Sequence, residues 1–261
     1  MKLIKKYLAA TVFAVSALSA GSANAYLTNW TLDTNGAAAG GAVVVNEWLD
    51  LTGTAYIHNT LTSATTFTFQ EAGVFTSFSH DGFGVLPSAL TATFTGTGSG
   101  TLNGALTFAT GTLEISSGAT VIGTFDLTSG SGMLDGNFLP NGAVSTIFKA
   151  TSLTAGYWFD SAMNDLANVV ADPNGLLFGF ATTNASLATN PSQIANGLAL
   201  TGGLYAATFG SAPSTDNYGV ENLVIGNNGQ YRLQVPEPAS LALIGVALLG
   251  LGASRRRKQC A

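Results

Sequence analysis

From about Val43 to Val235 the chain alternates apolar and polar residues in short runs. Phe67 and Phe69 alternate with Thr66 and Thr68. Leu90, Ala92 and Phe94 alternate with Thr91, Thr93 and Thr95. Val121, Gly123, Phe125 and Leu127 alternate with Ile122, Thr124 and Asp126, and Tyr231, Leu233 and Val235 with Arg232 and Gln234. A period of two, with β-branched and aromatic residues, predicts half-buried strands. Pairs that supply positive φ separate them: Asn35-Gly36, Asp81-Gly82, Asn103-Gly104, Asp135-Gly136, Asn141-Gly142, Asn174-Gly175, Asn196-Gly197 and Asn228-Gly229. Gly96-Thr97-Gly98-Ser99-Gly100 reads as a flexible loop. Met163, Leu166, Ala167 and Val170 fall at helical spacing after Asp160 and Ser161, either of which can cap a helix. A second short turn is expected from Asn190 through Pro191 to Gly197. The pattern predicts an all-β, β-sandwich or jelly-roll-like single domain with one short helix. A β-solenoid would need a fixed short repeat, which the chain lacks.

The two ends break this pattern. Met1–Tyr7 carries Lys2, Lys5 and Lys6, an apolar run extends from Leu8 to about Leu18, and small residues end at Ala23-Asn24-Ala25. Basic start, apolar run and A-x-A site in that order predict a signal peptide over 1–25. Ala23 and Ala25 fit the signal peptidase pocket, and Tyr26 becomes the first mature residue. At the other end Val235-Pro236-Glu237-Pro238 precedes 16 uncharged residues, Ala239 to Ser254, and then Arg255-Arg256-Arg257-Lys258. The prolines around Glu237 favour an extended, accessible segment. As a transmembrane helix the apolar run spans about 24 Å, short of a hydrocarbon core of about 30 Å. The basic cluster holds its end in the cytoplasm.

Pro236-Glu237-Pro238, the short Gly/Leu/Ala-rich helix and Arg255, Arg256 and Arg257 resemble the PEP-CTERM family of exosortase substrates. Behind a signal peptide the resemblance implies a sorting signal over 235–258, recognised and cleaved near the PEP segment by a membrane exosortase. It implies Sec translocon and signal peptidase as export partners and a transient inner-membrane intermediate. The destination it implies is the outer surface or extracellular matrix of a Gram-negative bacterium that makes exopolysaccharide. Some family members are associated with flocculation, and the middle domain, 26–234, is compatible with that group.

Composition narrows the chemistry. Charged residues make up 9% of the 261 residues, and 25 aromatic residues supply a core. Between residues 26 and 238 two basic residues, Lys149 and Arg232, stand against fourteen acidic ones, a net charge of −12. Such a surface repels nucleic acid and anionic lipid. The single cysteine, Cys260, allows no internal disulfide. No nucleophile elbow, phosphate-binding loop or paired-histidine zinc motif occurs, so no enzyme is expected. His58 and His80 are the only imidazoles, and His80-Asp81-Gly82 fits a surface hairpin. Glu47 and Asp50 flank Trp48 as a carboxylate pair that could hydrolyse glycosides; edge charges on a strand explain them more simply. Asp172-Pro173-Asn174-Gly175 and Asp216-Asn217-Tyr218-Gly219 place oxygen donors on turns, which suits calcium or ordinary Asx turns. No other cofactor is expected. Trp30, Tyr157 and Trp158 could stack on sugar rings or sit in the core. The expected function is association with extracellular polysaccharide, supporting biofilm or floc formation. A secreted carbohydrate-active hydrolase and an ice-binding array built on Thr91, Thr93 and Thr95 are the alternatives.

Overall fold

The computed structural model describes residues 24–36, 40–82, 84–139, 144–170 and 175–236. Tyr26–Gln234 forms a compact unit of its own. The strands, in chain order, are β1 (Asn24–Tyr26), β2 (Trp30–Asp33), β3 (Ala42–Val45), β4 (Leu49–Leu61), β5 (Thr66–His80), β6 (Gly84–Val85) and β7 (Leu90–Thr101). They continue with β8 (Ala105–Ser117), β9 (Thr120–Met133), β10 (Val144–Leu153), β11 (Trp158–Phe159), β12 (Leu177–Leu187) and β13 (Asn222–Pro236). One α-helix, α1 (Pro191–Phe209), lies between β12 and β13.

The all-β class with a single α-helix follows from the alternation. The sheet arrangement differs from a sandwich. Strands β4, β5, β7, β8, β9, β10, β12 and β13 pair antiparallel with their neighbours in chain order, and β13 pairs back onto β4. The closing ladder runs from Asn222↔His58 to Tyr231↔Leu49. The result is a closed up-and-down ring. Alternation tells inner from outer face but does not tell which strands become neighbours. β2, β3 and β11 form a separate three-stranded sheet.

Inside the ring the packing is aromatic. Phe178 stacks on Phe125 at 4.9 Å and on Tyr231 at 4.5 Å between centroids. Trp158 meets Phe125 and Phe178 edge-on, stacks on Trp30 at 5.7 Å, and donates its indole N–H to the Ile122 carbonyl at 2.8 Å. Trp30 and Trp158 are fully buried, so both are core residues and not sugar platforms.

The glycine-rich stretch from Gly96 to Gly100 is strand and not loop, because it belongs to β7. Its glycines point inward, and a Cβ on Gly96, Gly98 or Gly100 would come within 2.5 Å of the rings of Phe94, Phe69 and Phe67 respectively. Small residues on β7 thus make room for large ones beside them. Further along, β9 departs from the expected alternation. Ile122 is buried while Val121 is 43% exposed. A bulge opposite Ile115/Ser116 skips Ile122 in the ladder and turns it inward.

The helix lies where a short turn was expected. Asn190 caps it by accepting the Ser192 N–H at 2.8 Å, Pro191 opens it, and Gly210 ends it at φ +74°. Asn196-Gly197, a turn signal in sequence, is inside this helix, and Asn228-Gly229 is inside β13. Gly197 is buried and brings the helix close to Val224 and Thr54 of the sheet, and Gly202 is buried against Pro213. Tyr205 meets Tyr56 edge-on at 4.7 Å and donates its hydroxyl to Gln70 Oε1 at 2.8 Å. The helix therefore covers the outer face of β4 and β5 around Tyr56 and Ala72. The stretch expected to be helical after Asp160 is an Asx turn, Asp160 accepting the N–H of Ala162 and Asn164, followed by a 3₁₀ turn over Leu166–Val169 capped by Asp165. Asp160 and Asp165 satisfy backbone donors in two tight turns, so the segment never forms a continuous helix.

Candidate functional site: an outer groove and the sorting segment

The outward row across β10, β12 and β13 contains Ile147, Gly179 and Arg232. Gly179 has no side chain to fill the row, so a groove of about 290 Å³ opens there. Its walls are Tyr26, Ser145, Ile147, Gln230, Arg232 and Gln234. A Cβ on Gly179 would lie 3.0 Å from Gln234 Nε2. Arg232 is held in place from two sides. Its guanidinium sits 5.6 Å from the Tyr26 ring centroid and 5.1 Å from that of Trp48, and it donates to Glu47 Oε2 at 3.2 Å. Contact with both rings adds cation–π attraction to the exposed ion pair. Tyr26 remains 58% exposed at the rim. The site thus combines an exposed ring, a fixed cation and two amides that both donate and accept.

Beyond the groove, much of the uncovered outer face carries hydroxyls. Thr68, Ser99, Thr107, Ser131 and Ser145 form one row across β5, β7, β8, β9 and β10. Thr97 and Thr110 hydrogen-bond across strands at 2.7 Å, and Thr112 donates to Asp126 at 3.0 Å. A membrane-spanning barrel presents an apolar band to lipid; these rows are of hydroxyls instead. Among the described residues no helix is long and apolar enough to cross a membrane.

The residues singled out for chemistry are placed in structural roles. Glu47 pairs with Arg232, and Asp50 accepts the Gly82 N–H at 2.9 Å. Asp81 accepts from the N–H groups of Asn46, Glu47 and Trp48 and contacts His80 Nδ1 at 3.0 Å. Burial acts upward on the Asp81 carboxyl, and these bonds nonetheless hold it below its ordinary value. Asp81 and Gly82 both have positive φ, the geometry of a tight hairpin. His58 Nδ1 and the Tyr56 hydroxyl share Asn222 Oδ1, at 3.0 and 2.5 Å. In the second acidic turn, the Asn222 side-chain amide donates to the Asp216 carbonyl and Tyr218 donates to the Ala188 carbonyl at 2.6 Å. Asp172, Pro173 and Asn174 lie outside the described residues. No group of three or more His, Cys, Asp or Glu converges among the described residues. Of the groove residues, Arg232 and Gln234 were legible as outward positions of a strand. Tyr26 and Gly179 were not, because only the fold brings them together.

β13 ends at Pro236. The next residues complete the tail: Glu237, Pro238 and Arg255–Arg257 lie outside the described residues, as does Ala23, while Ala25 is in β1. A family model for the PEP-CTERM protein-sorting motif matches residues 234–258. The chain is a PEP-CTERM domain-containing protein. Comparison with curated proteins and with solved structures finds no match. As a PEP-CTERM protein the chain is exported and processed by an exosortase, passing through a membrane intermediate to the cell surface or extracellular space. The PEP-CTERM match begins at Gln234, a residue of β13 on the wall of the groove.

Proposed function

We propose that residues 26–234 form a non-enzymatic module that associates with extracellular polysaccharide and supports biofilm or floc cohesion of a Gram-negative bacterium. The groove around Gly179 carries this reading. Amides of Gln230 and Gln234 complement sugar hydroxyls in either direction, and the Tyr26 ring offers a face to a sugar ring. A net charge of −12 across residues 26–238 favours a neutral polymer over an acidic one. The hydrolase alternative depends on Glu47 and Asp50, which already serve Arg232 and the Gly82 N–H. In this reading residues 1–25 are removed at Ala25, and 235–258 act as a temporary anchor oriented by the arginine cluster.

The test is co-sedimentation of the secreted protein with the host's purified exopolysaccharide. Tyr26→Ala, which removes the ring, and Gly179→Leu, which fills the floor, are each expected to weaken binding about tenfold, ~1.4 kcal/mol. Wild-type binding by both variants would remove the groove from the reading.

One observation favours a second reading. Thr91, Thr93, Thr95 and Thr97 share the outward face of β7, with Thr107, Thr110 and Thr112 beside them on β8. Such an array could order water as an ice-binding surface, although Thr97 and Thr110 spend their hydroxyls on each other. Thermal hysteresis of the secreted protein decides it.

A further inference from the structure

The inward face of β5 reads Phe67, Phe69, Glu71, Gly73, Phe75. Glu71 is therefore a carboxyl inside an aromatic ring of strands, 7% exposed. A cavity of about 60 Å³ lies beside it. Phe67, Phe69, Phe94, Phe108, Phe138 and Phe148 are among the rings on its wall. Besides Glu71, the polar groups on it are Asn59, Thr146, Asn227 and Tyr231. Asn59 and Thr146, 2% and 3% exposed, both line it. Asn59 already donates its side-chain N–H to the Val220 carbonyl at 2.9 Å, which leaves Oδ1, an acceptor, without a partner in the protein. Thr146 Oγ1 is likewise without one. A buried polar atom with no partner costs about 1–3 kcal/mol, so such atoms mark positions that something else satisfies.

The two unpartnered oxygens and the Glu71 carboxylate are together complemented by a group that donates hydrogen bonds. Carboxylate, amide oxygen and hydroxyl oxygen are all acceptors, and the faces of the phenylalanine rings carry negative potential. An alkylammonium group has three donors, no acceptor and a charge attracted by both. At about 15 Å³ for each water-sized probe, the volume admits only a few non-hydrogen atoms. We infer that the interior of the ring is a binding site for a small primary amine, its ammonium group set between Glu71, Asn59 Oδ1 and Thr146 Oγ1 and its short alkyl part among the phenylalanines. This site faces inward, on the other side of the sheet from the outer groove that Thr146 also borders, and it stands whether or not the groove binds polysaccharide.

The state of Glu71 gives the site a pH signature. Burial pushes its carboxyl up to about 7. Among the described residues Tyr231 is the one other titratable group on the cavity wall, and burial together with the neighbouring Glu71 raises its hydroxyl above the ordinary value, so it stays neutral. An ammonium ion prefers the ionised carboxylate, whose population rises about tenfold from pH 6 to pH 8.

The experiment uses the secreted protein with ethylammonium chloride as probe and ethanol as the isosteric neutral control. Titration calorimetry is expected to show one site per chain, about tenfold tighter at pH 8 than at pH 6, and at least tenfold weaker in Glu71→Gln. Upfield ring-current shifts of the ethylammonium methyl protons should accompany binding, which association with the acidic surface would not produce. Thr146→Val retains Glu71 and should weaken binding several-fold, which keeps the test decisive if Glu71→Gln does not fold. Equal binding of ethanol and ethylammonium, pH-independent binding, unchanged affinity in the variants, or ordered water alone in the cavity of crystals grown with the probe would each overturn the inference.

Discussion

The two faces of the same strands obey different chemistry. On β7 the inward positions are Leu90, Ala92, Phe94 and three glycines, each fitted against a ring from the same or a neighbouring strand. The outward positions are Thr91, Thr93, Thr95, Thr97 and Ser99, and Thr97 bonds to Thr110 on the next strand. The inner face fixes shape through volume. The outer face can vary in chemistry without touching the fold, and for that reason it is where recognition of a polymer is affordable. Glu71 is the exception that sharpens the contrast, because it puts an ionisable group on the face otherwise defined by packing.

Three changes probe the contrast. Phe148→Ala removes a fully buried ring that meets Phe94 at 6.0 Å. It should destabilise the protein by about 3–5 kcal/mol through lost burial and the cavity left behind, read as a lower urea midpoint. A loss below about 1 kcal/mol would show that the interior is loosely filled. The next effect is pH-dependent. The Glu71 carboxyl has its folded value at about 7, raised by burial from 4.5. Between those values the folded state holds a proton that the unfolded chain releases. The stability contributed by neutral Glu71 is thus complete below pH 4.5, falls as pH rises to 7 and is flat above it. The fall amounts to roughly 3 kcal/mol. Denaturation midpoints across pH 4–8 should show this slope, and Glu71→Gln should abolish it. The smallest effect belongs to the outer face. Thr97→Val breaks the bond to Thr110 on an accessible surface and should shift stability by no more than about 0.5 kcal/mol. A larger loss would mean that the hydroxyl rows hold the sheet together.

Much of this was legible from the chain alone. Phe67, Phe69, Leu90, Ala92, Phe94, Tyr231 and Leu233 were readable as one buried face because period two survives any arrangement of the sheet. The same period places Glu71 inward, a signal available in the sequence and visible once Phe67 and Phe69 are set in register. Helix α1 was hidden by Gly197, Thr201, Gly202 and Gly203, residues of low helical propensity, of which the first three are buried and serve close packing instead. Its ends were marked all the same, by Asn190-Pro191 and Gly210. The ring closure and the groove were not legible. Both depend on β13 meeting β4 and β12, and on Gly179 lying between Ile147 and Arg232, pairings that no local pattern encodes.

The order of the strands has a consequence for when the domain can form. Each strand of the ring pairs with the one before it in the chain, so a chain emerging from its amino end can zip up hairpin by hairpin. The last seam cannot. Strand β4 must wait for Asn222–Tyr231, more than 160 residues later, and the matched sorting segment begins three residues after Tyr231. The seam and the tail are thus delivered almost together. Until then the phenylalanine-lined interior stands open along one side, and the ring can shut only as the sorting segment itself follows in the chain.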